Sequence, residues 1–292
     1  MKNKNQSKGF LSKYQLFRFS IQNEIAVDRE LLKRLGKSPL SFTPVRALKL
    51  LPMLDRFKIG GMAYRFFSLL FALFIPVVIL FQFILSIFSL RKNKLKDISR
   101  EVLLVANGRA SSIFSQEFPG RDVTLININQ KNSNTHISKE NILGFIDLVK
   151  VLADSLIGCA FFIIKNRDVA SIPQLYVTFN WFLTYRAMRK IHQHVNLVHF
   201  SNHYDRWAVL FDGVFYNKKV CLLQHGVLPD RLELPYKLKN LTVIYTIDNE
   251  SELKFRKLYS LSENVEFRRR LIALTLSAVS YTHLTLPTIY SV

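Results

Sequence analysis

Beyond residue 100 the chain alternates short apolar runs with longer amphipathic stretches. Glu101-Val102-Leu103-Leu104-Val105-Ala106 and the run Asp122 to Ile128 have the length and composition of buried strands, and a helix is predicted between them from Ala110. Ser138 to Lys165 reads as one long helix. Its polar stripe at Asp147, Lys150 and Asp154 recurs at spacings of three and four, which makes it amphipathic despite the run Phe161-Phe162-Ile163-Ile164. Another helix is predicted over about Pro173 to His192. There follow a strand at Leu197-Val198-His199-Phe200, a helix from Tyr204 to Tyr216, strands at Lys219 to Leu223 and Leu241 to Ile247, and a helix from Glu250 to Tyr259. Strands that alternate with helices form right-handed βαβ units, so the pattern predicts an α/β fold with a Rossmann-like parallel sheet and helices on both faces. No internal repeat or low-complexity segment interrupts it.

A different pattern precedes this one. Phe66 to Leu90 is 25 residues without a charge, interrupted only by Ser68, Pro76, Gln82, Ser86 and Ser89. A membrane-spanning helix needs about 20 apolar residues. Pro76 would kink such a helix. Basic residues stand on both sides, Arg56, Lys58 and Arg65 before it and Arg91, Lys92, Lys94 and Lys96 after it, so the charge bias gives no orientation. A tilted span and a re-entrant hairpin with both ends cytosolic fit equally, and a buried helix of a soluble protein is the bland alternative. Val45 to Phe66 mixes Leu, Met and Phe with Arg46, Lys49, Arg56 and Lys58, the composition of a basic amphipathic stretch on a membrane surface, with Pro52 interrupting it. The expected organisation is a basic amphipathic region at 1–65, a membrane segment at 66–90 and a Rossmann-like domain at 97–278.

Charge sharpens this picture. The chain has 41 Lys+Arg against 21 Asp+Glu, and residues 1–65 hold 14 of the basic and 4 of the acidic side chains. Positive charge beside an apolar segment is attracted to anionic lipid headgroups, so membrane lipids are the expected partner. Nucleic acid is not expected, because no zinc-finger, RNP or helix-turn-helix pattern accompanies the charge. Cys159 and Cys221 share no ligand spacing and form no disulfide framework. No secretory signal opens the chain.

Candidate chemistry gathers at two strand ends. Gln224-His225-Gly226 follows the apolar run Val220-Cys221-Leu222-Leu223. Ligands of open α/β sheets bind outside the carboxyl ends of parallel strands. A Gly there admits a ligand close to the backbone, and a His supplies a base near neutral pH. Ser201-Asn202-His203-Tyr204-Asp205-Arg206-Trp207 follows the preceding strand, with Ser201 or Asn202 able to cap the next helix and Asp205 suited to its first turn. If these strands are neighbours, His203, His225 and Arg206 share one sheet edge. Asn107-Gly108-Arg109-Ala110 occupies the place of a phosphate loop but lacks G-x-G-x-x-G. A Walker A loop and a G-x-S-x-G elbow are both missing. His192 and His194 point apart on a helix, and His199 and His203 straddle a strand end, so no metal site is expected.

The order of Ser201-Asn202-His203, a helix with Trp207, Gln224-His225-Gly226, and a last helix after Asp248-Asn249-Glu250-Ser251-Glu252 resembles the N-terminal Rossmann-like half of GT-B glycosyltransferases. Those of capsule and lipopolysaccharide synthesis, polysialyltransferase-like and glycerophosphotransferase-like, are the most similar in kind. The resemblance covers about residues 100–260, and only Gln-His-Gly is motif-like. The His-Gly-Thr-Pro form is not kept, since Val227-Leu228 follows, which sets the glycerophosphate donor aside. It implies His225 as general base on an acceptor hydroxyl, with His203 second. It also implies Gln224, Gly226, Arg206, Asn202, Asn107 and Gly108 as substrate-binding. It implies a nucleotide-sugar donor as substrate with no further cofactor, a glycan or lipid-linked acceptor, and the cytosolic face of a bacterial inner membrane. A non-catalytic membrane-anchored scaffold of a polysaccharide assembly system is the alternative. Val279 to Thr288 reads V-S-Y-T-H-L-T-L-P-T, the translation of a common sequencing adaptor, so residues 279–292 are expected to be artefact. A donor-binding domain would then follow residue 278 in the intact gene product, and this chain alone would be inactive.

Overall fold

A computed structural model describes residues 11–34, 61–90, 94–106, 109–128, 137–166, 168–226, 228, 232–261 and 264–270. The expectations placed on Asn107, Gly108, residues 35–60 and residues 279–292 lie outside them. Seven strands form one parallel sheet: β1 (Glu101–Val105), β2 (Thr124–Asn127), β3 (Ile137–Ser138), β4 (Leu197–Phe200), β5 (Lys219–Leu223), β6 (Val243–Thr246) and β7 (Glu266–Arg269). Their order is β3-β2-β1-β4-β5-β6-β7. The chain steps outward from β1 to β3, returns to the other side of β1, and steps outward again from β4 to β7. Such an order is compatible with a Rossmann-like fold, and its reversal point lies between β1 and β4, where ligands of such sheets bind.

Right-handed crossovers taken in opposite directions put helices on opposite faces. Helix α3 (Arg109–Glu117) follows β1 and packs with Leu103, Val105, Cys221, Leu223, Val243 and Tyr245, the inward positions of one face. Val102, Leu104, Val198, Phe200, Val220, Leu222 and Ile244 alternate with them and face the larger core. That core holds α4 (Phe145–Lys165), α5 (Thr178–Ile191), α6 (Arg206–Val214) and residues of α7 (Asn249–Tyr259). In numbering these helices, α1 (Lys13–Arg34) and α2 (Gly61–Phe88) precede the sheet.

Helix α1 lies within the basic region expected at 1–65 and belongs to the same packed body. Leu16, Phe17, Ser20, Ile21, Asn23 and Glu24 are buried. Two glycines let it and its neighbours approach closely. A Cβ on Gly213 of α6 would stand 2.4 Å from Leu16 Cδ1, and one on Gly158 of α4 would stand 2.4 Å from Phe182 Cε2. Asn23 pairs with both the N–H and C=O of Tyr236, fastening the 232–241 connection to α1. Asp212 holds the same connection from beneath, accepting from Tyr236 Oη at 2.8 Å and from the Asn240 amide at 2.7 Å.

Two helix starts differ from the sequence pattern by five residues or more, and the helix expected from Tyr204 begins at Arg206. The helix expected from Ser138 begins at Phe145, because Ile137 and Ser138 pair with β2 and because Asp147 accepts the Gly144 amide at 3.0 Å, ending the first turn there. The helix expected from Pro173 begins at Thr178, after a 3-10 stretch over Val169–Val177 that contains the proline. Helix α2 is continuous through Pro76, so the hairpin alternative is not what forms. It is long and apolar enough to cross a membrane over Arg65–Phe88. One stripe, Ser68, Ile75 and Ile79, is buried against the body, and Gln82 Nε2 donates to the Tyr176 carbonyl at 3.1 Å.

Candidate functional site

The carboxyl ends of β4 and β5 are adjacent, as the parallel register Val198↔Val220 and Phe200↔Leu222 requires. Ser201-Asn202-His203 leaves β4 at the point where Gln224-His225-Gly226 leaves β5. The two imidazoles lie 4.4 Å apart between ring centroids, tilted by 35°. The His225 backbone N–H donates to His203 Nε2 at 3.2 Å, and His225 Nδ1 meets the Ser201 carbonyl at 2.5 Å.

These contacts fix both tautomers. A nitrogen that accepts an N–H carries no proton, so the His203 proton sits on Nδ1 when the ring is neutral. A nitrogen against a carbonyl must donate, so the His225 proton sits on Nδ1 and its lone pair on Nε2. Burial drives the His203 pKa well below its ordinary value, the neighbouring His225 pushes the same way, and a hydrogen bond to the Leu223 backbone opposes them only in part. His203 is therefore neutral at physiological pH. Phe255 packs edge-on against it, and the Tyr259 hydroxyl donates to its carbonyl oxygen. Burial holds Tyr259 protonated, which keeps that donor in place.

The two histidines thus have different positions. His203 is fully enclosed and acts on its partner's backbone. His225 is half-buried. Among the described residues, a Cβ on Gly226 would meet nothing within 4 Å.

Family models, curated proteins and solved structures yield no match to this chain.

Other residues expected at the site do structural work. Gln224 is buried, accepts the Ile247 amide at 2.8 Å, and donates to Ser251 Oγ at 2.8 Å and to the Gly226 carbonyl at 3.0 Å. It ties the ends of β5 and β6 together and shapes the turn that carries His225. Arg206 does not join the histidines. Its guanidinium is buried and paired in a two-pronged contact with Glu24 of α1, with Nε donating at 2.6 Å, so it is unavailable for an anionic substrate. The cap of α6 is neither Ser201 nor Asn202. Asp205 Oδ1 accepts the Trp207 and Ala208 amides, each at 3.0 Å, and Asn202 Nδ2 donates to Asp205 Oδ2 at 2.6 Å. Asn202 Oδ1 and Ser201 Oγ are buried without a hydrogen-bond partner among the described residues, and these are the polar atoms left for a ligand or a water.

His199 lies on the opposite sheet face, against Glu101 and Phe114. Burial pulls its pKa down to about 4. Among the described residues no group of His, Cys, Asp and Glu could hold a metal ion. One contributor escaped the sequence pattern: Arg270, buried behind the turn, donates from Nη1 to the Gln224 carbonyl at 3.1 Å and lies beside Glu117. Its only sequence signal is three consecutive arginines after an apolar residue.

Proposed function

We propose that this chain is the acceptor-side half of a membrane-surface glycosyltransferase of polysaccharide synthesis. In this reading His225 Nε2 takes the proton from an acceptor hydroxyl as that oxygen attacks the anomeric carbon of a nucleotide sugar, and the bond from that carbon to the phosphate oxygen breaks to release the nucleotide. The observation that carries it is the engagement of His225 Nδ1 by the Ser201 carbonyl, which puts the lone pair on Nε2 of a half-buried ring at the end of a parallel strand. A general base needs that tautomer and that position. His203 is then a positioning residue, holding the His225 backbone. The donor is a nucleotide sugar, and the acceptor is a glycan or lipid-linked glycan at the cytosolic face of a bacterial inner membrane. Gln224 and Arg206, engaged internally, favour the scaffold alternative to the extent that they reduce the polar groups left for substrate.

The test uses the intact gene product, membranes as acceptor source and a panel of radiolabelled nucleotide sugars. The expected result is transfer by the intact protein and a loss of about 10²–10⁴-fold for His225→Ala with unchanged far-UV circular dichroism. Transfer that survives His225→Ala overturns the assignment of the base. Absence of transfer from every donor, with partner binding retained, selects the scaffold.

A further inference from the structure

Helix α4 packs on α5, α1 and α2, and its buried stripe is Leu148, Val151, Ser155, Cys159 and Phe162. Its opposite face should be polar if it met water. It is not: Ile146, Val149, Leu156, Ile157, Ile163 and Ile164 are all exposed, at spacings that place them on one outward stripe. Helix α2 rests against α4 and turns out a second apolar face, with Leu73 73%, Val77 62% and Phe81 59% exposed. Together they form an open apolar surface far longer than the scattered exposed side chains of an ordinary soluble domain.

The charges on these two helices are sorted by side. Both carboxylates turn inward: Asp147 to Lys190 and Arg186, and Asp154 to Lys13 at 2.5 Å. The exposed charges are all basic, namely Arg65, Lys150 and Lys165. A surface that is apolar at its centre and solely basic at its margin complements an anionic lipid leaflet. It repels a second copy of a chain that carries a formal net charge of +20.

Packing also fixes how α2 meets the lipid. Its body-facing stripe runs from Ser68 through Ile75 and Ile79 to the partly buried Phe83 and Ile87, nearly its whole length. A helix of 28 residues is about 42 Å long. If it crossed the bilayer upright, it would draw Val169–Val177, α4 and the Arg186, Arg189 and Lys190 of α5 into hydrocarbon with it. We infer that α2 does not cross the membrane. It lies in the plane of the anionic leaflet beside α4, and both outward faces enter the lipid from one side.

This rests on the membrane attachment proposed above but not on glycosyl transfer, and the test reads lipid contact alone. The full chain is mixed with vesicles of phosphatidylglycerol and phosphatidylethanolamine, and with phosphatidylcholine vesicles. The expected result is flotation with the anionic vesicles at least tenfold stronger than with the zwitterionic ones. Leu156→Glu with Ile157→Glu is expected to reduce it at least tenfold. An environment-sensitive fluorophore on Ile157→Cys should shift to the blue with vesicles, while one on Leu253→Cys of α7 should not; this arm survives any folding defect of the charged variant, and both native cysteines are buried. Fluorophores on Leu70→Cys, Val77→Cys and Ile84→Cys should be quenched to equal, shallow depth. Failure of the parent chain to float overturns membrane attachment itself. Flotation that ignores the α4 substitutions, or a silent Ile157 probe, overturns the part assigned to α4. Quenching deepest at Val77 restores an upright span. A dimer that dissociates on the α4 substitutions while flotation persists makes this face a self-interface instead.

Discussion

Helices α6 and α4 both contribute to the same core, yet one is enclosed and the other is half open. The difference is α1. Every residue of α6 except Gly213 is buried. Leu16 presses where Gly213 has no side chain, and Glu24 pairs with Arg206 at the helix start. Along α4, α1 reaches the edge only, through Phe17, Tyr14 and the Lys13–Asp154 pair, and leaves the apolar stripe exposed. An N-terminal segment that looks like a basic arm therefore completes the core over α6 and, by stopping short, defines the open surface of α4. It also stabilises the site, because Arg206 begins the helix that directly follows His203.

The largest effect expected on the α6 side is loss of Glu24. Glu24→Gln leaves a buried guanidinium without its counter-charge, which costs about 3–5 kcal/mol. Pairing Glu24→Leu with Arg206→Met should recover most of that, because neither side chain then carries a buried charge. Urea unfolding followed by tryptophan fluorescence reads both, since Trp207 stands next to Arg206. Equal stability of Glu24→Gln and parent would mean that α1 does not hold α6.

Acid should separate the two sides. His203 is depressed by burial and by the nearby His225, so the unfolded chain takes up a proton near pH 6.5, where the folded one does not. Stability from that group is complete above pH 6.5 and falls as pH drops below it. At the start of α4, burial works against the Asp147 charge. Hydrogen bonds from Lys190, the Gly144 amide and Arg186 outweigh it and hold the pKa below its ordinary value of 3.8. That contribution is intact above the carboxylate range and is lost only as pH falls through it. Between pH 7 and pH 5, protection from hydrogen exchange relative to the intrinsic rate should therefore fall in the first turn of α6 and around residues 223–226, while the first turn of α4 keeps its protection. His203→Gln should flatten the response near α6. Loss of protection at α4 first would contradict both assignments.

Much of this arrangement is legible in the sequence, with the losses concentrated in particular places. The strands β1, β4, β5 and β6 are apolar runs buried on both faces, so composition alone marks them. Strand β7, Glu-Phe-Arg-Arg at the sheet edge, has no apolar run, and β3 is two residues long; neither carries a readable period. The nearness of His203 and His225 follows from two βα units in succession. The fate of Arg206 does not, because its partner Glu24 lies 182 residues away along the chain. Helix α1 is hidden for the same reason. Its buried face includes Ser20, Asn23 and Glu24, which break the apolar stripe and are satisfied only by distant partners. Gln224 reads as a ligand-binding residue until its amide is seen to bridge two strand ends.

The smallest effect is expected where α1 meets α4. Lys13 Nζ lies 2.5 Å from Asp154 Oδ1, as short as a strong ion pair, but a third of the lysine side chain remains exposed. Ion pairs that keep contact with water contribute about 0.2–1 kcal/mol, because solvent screens the attraction and two side chains lose freedom. Lys13→Ala should therefore cost no more than about 1 kcal/mol and leave the unfolding midpoint nearly unchanged, while Glu24→Gln moves it far. Distance alone ranks the two pairs together; burial separates them, since Glu24 and Arg206 have no water to fall back on. The same substitution leaves Asp154 without its lysine, and with only the Tyr14 hydroxyl as a donor, at the edge of the face proposed to meet lipid. Vesicle flotation should weaken more than stability does. A Lys13→Ala chain that unfolds as readily as Glu24→Gln would show that α1 is held evenly along its length, and the contrast between an enclosed α6 and an open α4 would lose its cause.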